Sequence, residues 1–579
     1  MKISVAYIVK NEEANIEKSI LSCRKAVDEI IVYDTGSTDN TIKICKSLGA
    51  KVYEGKWEND FAKARNFALS KCTGDYILVL DADEFFEKEL KKNDLKKALS
   101  ACDTTEDVDV FAIKCKDVDM KTKKIHYELF ACKVLKNHRN LKYVSPIHEY
   151  VVNGEGERVY MTPLDNMTTI IHSGYTDLLE TNKIQRNIDI LESIEDKMPM
   201  HYFYLAREYL AIKQFDKIEQ NIDKFFEAEG HEEFIDHSNI GIDPYFIKLF
   251  VLRKQDRFEE GVKLLEEVQK KFPNNPKVYY EFGNQFFVKD KAKAKEYFLK
   301  AIKVNHDHGE NSVDINTFKS FEPQLYFLLS SCCFFLGERQ AAISHSIVSC
   351  MLDKKNAQYL SHLCLMLDGK NYQHNIEALT KIYAPKGKED YEFLTKTLYG
   401  TQLKREFCYF ASVFNKQYQG NSPEIFYAMG LTGFVDNAIQ ILDELKQDSY
   451  SFVYVTLGIL SQNKTYLEKL PDWVDKRFVP TVQYFLGEEQ ELSNFDYELI
   501  AKIYACVVLN ANDLINEQVI EDIVNNCSDQ TINLLIKNLM STLQIKPIRF
   551  VISLLKNSIT SIHLDRLEET VNALEKVNG

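Results

Sequence analysis

The sequence predicts an α/β domain on a mainly parallel sheet, followed by a long all-helical repeat region. Two observations carry this. From Ile3 to Leu80, short apolar runs alternate with helical periodicity, the pattern of right-handed βαβ units around a parallel sheet. From about Met198 the alternation stops, and pairs of helices with matching small and large positions recur. At 579 residues the chain exceeds a single core, so two to four domains are expected.

Composition narrows the class. The chain is 45% hydrophobic and 27% charged, an ordinary globular balance, and its net charge of -14 argues against a non-specific nucleic-acid binder. Thirteen cysteines are scattered without a C-x-x-C, which favours a reducing cytoplasm over a disulfide framework. The N-terminal apolar run breaks at Lys10-Asn11-Glu12-Glu13, so it reads as strand then helix start and not as a signal peptide. The longest apolar run, Leu325 to Leu336, is too short to span a bilayer, and no membrane insertion is expected.

The elements follow in order. Ile3 to Val9 is a strand, and Asn11 is the expected cap of a helix running to about Cys23. Glu29 to Asp34 is the second strand, and 35–40 a tight turn before a helix to about Leu48. Lys51 to Gly55 is a short third strand, Asn59 to Cys72 a helix, and Ile77 to Leu80 a fourth strand buried on both faces. That last strand ends in Asp81, Asp83 and Glu84. Two carboxylates two residues apart point the same way, so Asp81 and Asp83 either converge on one cation or polar ligand or form a solvated acidic loop. Ligands of such sheets sit outside the carboxyl ends of the strands, where Asn11, Asp34, Asp81 and Asp83 all lie. On the third helix Phe61, Ala64, Ala68 and Cys72 form an apolar stripe with Arg65 in its middle. A buried guanidinium needs a partner: a strand-end acid, or an anionic ligand such as a diphosphate.

Four segments in serial order then resemble family 2 glycosyltransferases: Ile8-Val-Lys-Asn-Glu-Glu13, Val32-Tyr-Asp-Thr-Gly-Ser-Thr-Asp-Asn-Thr41, Asp60-Phe-Ala-Lys-Ala-Arg-Asn66 and Leu78-Val-Leu-Asp-Ala-Asp-Glu84. Within the family they are similar to the bacterial branch that modifies peptides and proteins, flagellin glycosyltransferases among them. The resemblance covers roughly the first 195 residues. It implies the GT-A fold, a Rossmann-like nucleotide-sugar-binding domain, an inverting mechanism and a UDP-linked donor. Carried over, Asn11 and Glu12 are donor-binding, Asp34 contacts uracil or ribose, and Arg65 holds the nucleotide end of the donor. Asp81 holds ribose or metal, and Asp83 ligates Mn2+ or Mg2+. The chemistry agrees: a hard divalent cation takes oxygen ligands, bridges diphosphate oxygens and neutralises the leaving group.

Val108 to Lys116 and Tyr127 to Leu135 read as an antiparallel strand pair. Beyond them lie His148-Glu149 after a proline turn, then His172 in Ile170-Ile-His-Ser-Gly-Tyr175, then Lys183, Arg186 and Asn187 on one helix face. These too resemble the family branch. An inverting transfer needs a carboxylate to take the proton of the acceptor hydroxyl, and Glu149 is the choice, ahead of Asp165 and Asp177. His172 is the third metal ligand or diphosphate contact, or a core histidine. Lys183 and Arg186 hold the diphosphate, or form a solvated face.

In the remainder, Tyr202, Leu205, Ala206 and Tyr209 precede Ile218, Ile222 and Phe225; Phe282, Gly283 and Phe286 precede Ala294, Phe298 and Ala301. Gly261, Leu265, Val268 and Pro273 match the second half of such a unit, and Tyr326, Leu329, Ala342 and Ser349 form a weaker copy. This resembles tetratricopeptide repeats, with insertions near Gly230–Ile242 and His306–Phe321. The pattern fades beyond about Asn356 while helical character persists. The expected organisation is 1–195 GT-A domain, 196–356 tetratricopeptide-like repeats, and 357–579 further repeats or a separate all-α domain. Such solenoids bind peptides or proteins, or else serve dimerisation.

The reading that joins the halves is a cytoplasmic, metal-dependent, inverting glycosyltransferase with a protein acceptor. The resemblance points to N-acetylglucosamine from UDP-GlcNAc onto Ser/Thr of flagellin. The rivals are S-glycosylation of a bacteriocin cysteine, a cell-surface polysaccharide transferase, and a non-catalytic repeat scaffold.

Overall fold

The computed structural model describes residues 1–578 apart from 103–107, 119, 121–124, 160, 165–166, 174–176, 238–240, 309–314, 419–421, 433, 489–490, 511–515 and 557–563. The chain divides into two compact units, Met1–Asn274 with His308–Ser320, and Asn275–Asp307 with Phe321–Gly579.

The first unit opens with β1 (Ile3–Val9), α1 (Ile16–Cys23), β2 (Glu29–Asp34), α2 (Thr41–Ser47), β3 (Lys51–Glu54), α3 (Phe61–Ser70) and β4 (Tyr76–Val79). The four strands are parallel in the order β3-β2-β1-β4. Strand alternation explains why β1 is buried on both faces. Its odd residues Ile3, Val5, Tyr7 and Val9 pack with Ile16, Ile20 and Cys23 of α1. Its even residues Ala6 and Ile8 share the opposite core with Ala62, Ala64 and Ala68 of α3. The expected cap at Asn11 is corrected: α1 starts only at Ile16, and Asn11 takes φ 56° and accepts from Thr38 N–H at 2.7 Å.

Next come β5 (Glu84–Phe86), α4 (Asp94–Cys102), β6 (Val110–Val118), β7 (Ile125–Lys136), β8 (Lys142–Val144), β9 (Tyr150–Val152), β10 (Met161–Pro163) and β11 (Ile170–His172). β6 and β7 pair antiparallel as expected, and β7 joins β4, so the full order is β3-β2-β1-β4-β7-β6-β11-β5 with β10 on β6. β8 and β9 form a separate hairpin whose tip is Ser145 to Glu149. A parallel half joined to an antiparallel half, covered by helices, is the GT-A arrangement.

Six helices complete the unit: α5 (Asp177–Ser193), α6 (Pro199–Ala211), α7 (Phe215–Glu227), α8 (His231–His237), α9 (Asp243–Lys254) and α10 (Phe258–Lys271). α6 and α7 are the first helical pair foreseen in the sequence; Leu205, Ala206, Tyr209, Ile218, Ile222 and Phe225 are buried between them. The same core takes in Ile147, Trp57 and Phe61, so these helices pack on the α/β domain itself.

The second unit is helical from Pro276–Phe286 to Leu564–Asn578. Its first pair shows why a small residue stands where tetratricopeptide-like helices cross: a Cβ on Gly283 would lie 2.3 Å from the ring of Phe298. Pairing continues beyond Asn356, where the sequence pattern fades; Lys388–Tyr399 packs on Lys404–Tyr418, and Asn494–Asn510 on Asp529–Ser541. Among the described residues no helix is long and apolar enough to cross a membrane.

Candidate functional site

The parallel strands deliver their carboxyl ends to one edge, and the acids sit there. Asp34 ends β2 and is 1% exposed. Its Oδ1 accepts from the N–H groups of Gly36 at 2.9 Å and Ser37 at 2.8 Å, a turn that Gly36 allows at φ 111°. Its Oδ2 is buried with no hydrogen-bond partner among the described residues. Such an orphan costs about 1–3 kcal/mol, which a donating ligand would offset. The facing loop is tied to this turn: Asn11 N–H donates to Ser37, Glu12 N–H to Thr41, and Glu13 accepts from Asn40.

α3 brings the cation. Asp60 caps it, accepting from Lys63 N–H at 2.8 Å, and Pro146 of the hairpin tip accepts from Phe61 N–H at 2.8 Å. One turn on, Arg65 is largely buried and bridges two acids. Nη2 donates to Asp81 Oδ1 at 2.9 Å, and Nε donates to Glu149 Oε1 at 2.5 Å. Burial alone would raise the Asp81 carboxyl; Arg65, with Lys133 nearby, outweighs it and holds the carboxyl well below the usual range. The internal ion pair with a strand-end acid is therefore present. Glu149, the sequence-chosen base, is its second member.

Asp83 faces a different partner. His172 Nε2 lies 3.4 Å from Asp83 Oδ2, and its Nδ1 lies 3.9 Å from Asp117 Oδ2. Burial opposes protonation of the imidazole, but Asp83 first, then Glu84 and Asp117, raise its pKa to about 9. The anionic setting that holds this proton favours a cation at the same place. Two ligand atoms at about 2.1 Å on neighbouring octahedral positions lie about 3 Å apart, so the Asp83–His172 spacing fits one Mn2+ or Mg2+ edge. Asp117, 2% exposed, stands behind the imidazole where a carboxylate orients a ligating histidine. Among the described residues no group of three or more His, Cys, Asp or Glu side chains is arranged to hold a metal ion.

Glu12 and Lys183 belong to the same edge. Burial raises the Glu12 carboxyl, with Asp83 and Asp81 adding to it and Lys183 opposing. Arg186 is exposed; its guanidinium is 5.0 Å from the Phe61 ring centroid, and Nη2 donates to Asn187 Oδ1. The His148-Glu149 pair splits. Glu149 turns to Arg65, while His148 stacks on Tyr204 with ring centroids 3.5 Å apart. Burial first, then Arg207 and His201, push its pKa down to about 3. Asp165, Gly174 and Tyr175 lie outside the described residues, as does the side chain of Asp177.

Four contributors were not foreseen. Asn66 pairs with the backbone of Tyr143 through both its amide groups, at 2.8 Å each. The Tyr143 ring lies 5.6 Å from the Arg65 guanidinium. Asp117 and Lys133 are charged residues buried in β6 and β7. The available signal was a charge interrupting an apolar strand.

The fold is of the GT-A kind, with the acids gathered at the carboxyl ends of its parallel strands. Residues 4–150 match the model of Glycosyl transferase family 2. The chain is 46% identical over 83 residues to a TPR repeat-containing protein of Synechococcus elongatus, covering 14% of this chain and 21% of that one. It is 26% identical over 291 residues to the SPbeta prophage-derived glycosyltransferase SunS of Bacillus subtilis, covering 48% and 65%. The matches thus span less than two thirds of these relatives. A solved structure of glucosyl-3-phosphoglycerate synthase from Mycobacterium tuberculosis, with Mn2+, UDP and glucosyl-3-phosphoglycerate, is 27% identical over 20% of this chain and 43% of that one, with a TM-score of 0.17.

Proposed function

We propose that the chain is an inverting glycosyltransferase taking a nucleoside-diphosphate sugar. The observation that carries this is the gathering of Asp34, Asp81, Asp83 and Arg65 at the carboxyl edge of a parallel sheet, within the residues that match the family 2 model, with His172 brought to Asp83 from beyond them. The orphan Asp34 Oδ2 meets the N–H or hydroxyl donors of the nucleoside. Asp83 and His172 hold a divalent cation, Mn2+ or Mg2+, with Asp81 beside them. When bound, that ion neutralises charge developing on the leaving diphosphate. Lys183 adds a positive charge at the same edge, and Glu12 lines it; Arg186 extends the basic face toward Phe61.

Glu149 is the base. In the resting chain one of its carboxylate oxygens is occupied by Arg65 Nε–H. A donor diphosphate competes for the guanidinium. Donor binding thereby frees Glu149 to accept the proton of the acceptor hydroxyl as that oxygen attacks the anomeric carbon. The order of binding follows: donor first, acceptor second.

The acceptor is a protein or peptide held by the helical pairs. Its finer form rests on the sequence resemblance: N-acetylglucosamine from UDP-GlcNAc onto Ser/Thr of flagellin, in the cytoplasm. The test is intact mass of candidate acceptors, flagellin among them, after incubation with a panel of UDP-sugars and Mn2+. A mass increase of one N-acetylhexosamine on flagellin supports the finer reading. Another sugar or acceptor revises it, and no transfer with any donor sinks the enzymatic reading.

A further inference from the structure

The buried charge nearest the acidic turn is not used by the chemistry above. Lys133 lies in β7, among Phe130, Ala131, Cys132, Val134 and Leu135. Pairing with β6 slips there: Phe111 faces Val134 and Ala112 faces Cys132, so Lys133 is the extra residue of a β-bulge. The packing shows the slip. Ala131 and Val134 share the core that includes α1, and Cys132 and Leu135 share the core beside α3, three residues apart in each case instead of two.

The bulge brings Lys133 Nζ to both oxygens of Glu84, at 2.7 Å from Oε1 and 2.6 Å from Oε2. Both residues are buried. Glu84 is in turn tied to the acids before it. Its Oε2 accepts from Asp81 N–H at 3.0 Å, and its own N–H donates to Asp81 O at 3.1 Å. Ser19 of α1 donates to Glu84 O, which pins the start of β5. Across the sheet Glu84 is the register partner of His172. One carboxylate therefore braces the turn that carries Asp81 and Asp83, opposite the histidine that faces Asp83.

We propose that Lys133 is a positioning residue: delivered by the bulge, its ammonium clamps Glu84 and so fixes the turn that presents Asp81 and Asp83 to the donor. This rests on the nucleotide-sugar reading of the site. Both oxygens of Glu84 are engaged inside the protein, by Lys133 and the Asp81 N–H. Without Lys133 the buried Glu84 carboxylate loses a contact on each oxygen and draws in water, which loosens the turn.

The test uses the full chain with Lys133→Met, Lys133→Arg and the double variant Lys133→Met/Glu84→Gln, which removes both buried charges and guards against misfolding of the single change. Two quantities are measured: hydrogen–deuterium exchange of the peptide covering 78–86 without metal, and affinity for UDP with Mn2+. Lys133→Met and the double variant should speed exchange across 78–86 while the peptide covering 29–34 is unchanged, and should weaken UDP binding tenfold or more. Lys133→Arg, which can still span both oxygens, should recover most of each. Unchanged exchange across 78–86, or faster exchange with unchanged affinity, overturns the proposal. A wild-type chain that binds no UDP with Mn2+ overturns the nucleotide reading instead, and the exchange measurement alone then decides whether Lys133 holds the turn.

Discussion

Arg65 Nε donates to Glu149 Oε1 at 2.5 Å while Nη2 of the same guanidinium holds Asp81. One side chain thus joins the acid after β4 to the acid at the hairpin tip. Removing it strands Glu149, whose side chain is 13% exposed, while Asp81, at 38%, stays partly solvated. Arg65→Met should therefore lower stability in urea titrations by about 1–3 kcal/mol and weaken UDP binding at least tenfold. Arg65→Lys should restore charge without the fork and recover stability only in part.

Glu149→Gln separates the two ends. The substituted amide keeps a carbonyl oxygen to accept from Arg65 and cannot act as the base. UDP binding should stay within a few-fold of wild type while turnover falls about 10²–10⁴-fold. Turnover at the wild-type rate would place the base elsewhere.

Asp83→Ala should abolish Mn2+-dependent UDP binding and leave thermal stability near wild type, since Asp83 is only part-buried and its side-chain partner is His172. Calorimetric titration of UDP with and without Mn2+ reads this directly. Equal affinity in both conditions for wild type would remove the metal from the site.

Acid should weaken the fold before carboxylates matter. His148, His201 and His362 have pKa values lowered to about 3, 4 and 4, burial being the largest cause in each. An unfolded histidine takes its proton near pH 6.5. Below that the unfolded chain binds protons the folded chain refuses, so the share of stability held by these three is whole above about pH 6.5 and falls as pH drops toward the folded values; His172, raised to about 9, acts with the opposite sign, its share being whole below about pH 6.5 and lost as pH rises toward 9. The slope is about 1.4 kcal/mol per pH unit for each histidine. Glu29, whose carboxyl burial would raise but Lys51, Thr73 and Ser4 lower to about 2, adds its loss only below its unfolded value near 4.5. Urea midpoints between pH 6.5 and 5 should therefore fall, and His148→Gln should flatten the fall. A flat wild-type profile would contradict the buried neutral state.

Gly283→Ala tests the helical pairs. The added methyl meets the Phe298 ring at 2.3 Å, so overpacking should cost about 1–3 kcal/mol in thermal unfolding. A neutral substitution would mean that the crossing is looser than it stands here.

The parallel half of the sheet was legible because its strands are short apolar runs bounded by turns, and the strand-end acids followed from it. The partners of Arg65 were half legible. A cation on the α3 stripe demanded an acid, but only the hairpin tip, 84 residues away, shows that Glu149 is one of them. Lys133 was hidden because a bulge breaks the two-residue alternation on which strand reading depends. His148 and Glu149 are adjacent in sequence yet face different neighbours, since His148 takes φ 52° and turns the chain between them. The helical pairs beyond Asn356 are formed by packing that no longer repeats a fixed set of residue types.

Asn66 stands beside Arg65 and imitates a strand, giving and taking one hydrogen bond with the Tyr143 backbone. With the bonds from Phe61 N–H to Pro146 and from Arg65 to Glu149, that amide docks the hairpin of β8 and β9 on α3 at three points. For redesign this makes the hairpin a cassette. The turn at 153–157 carries none of the three, so it can be lengthened or exchanged while Glu149 keeps its place against Arg65.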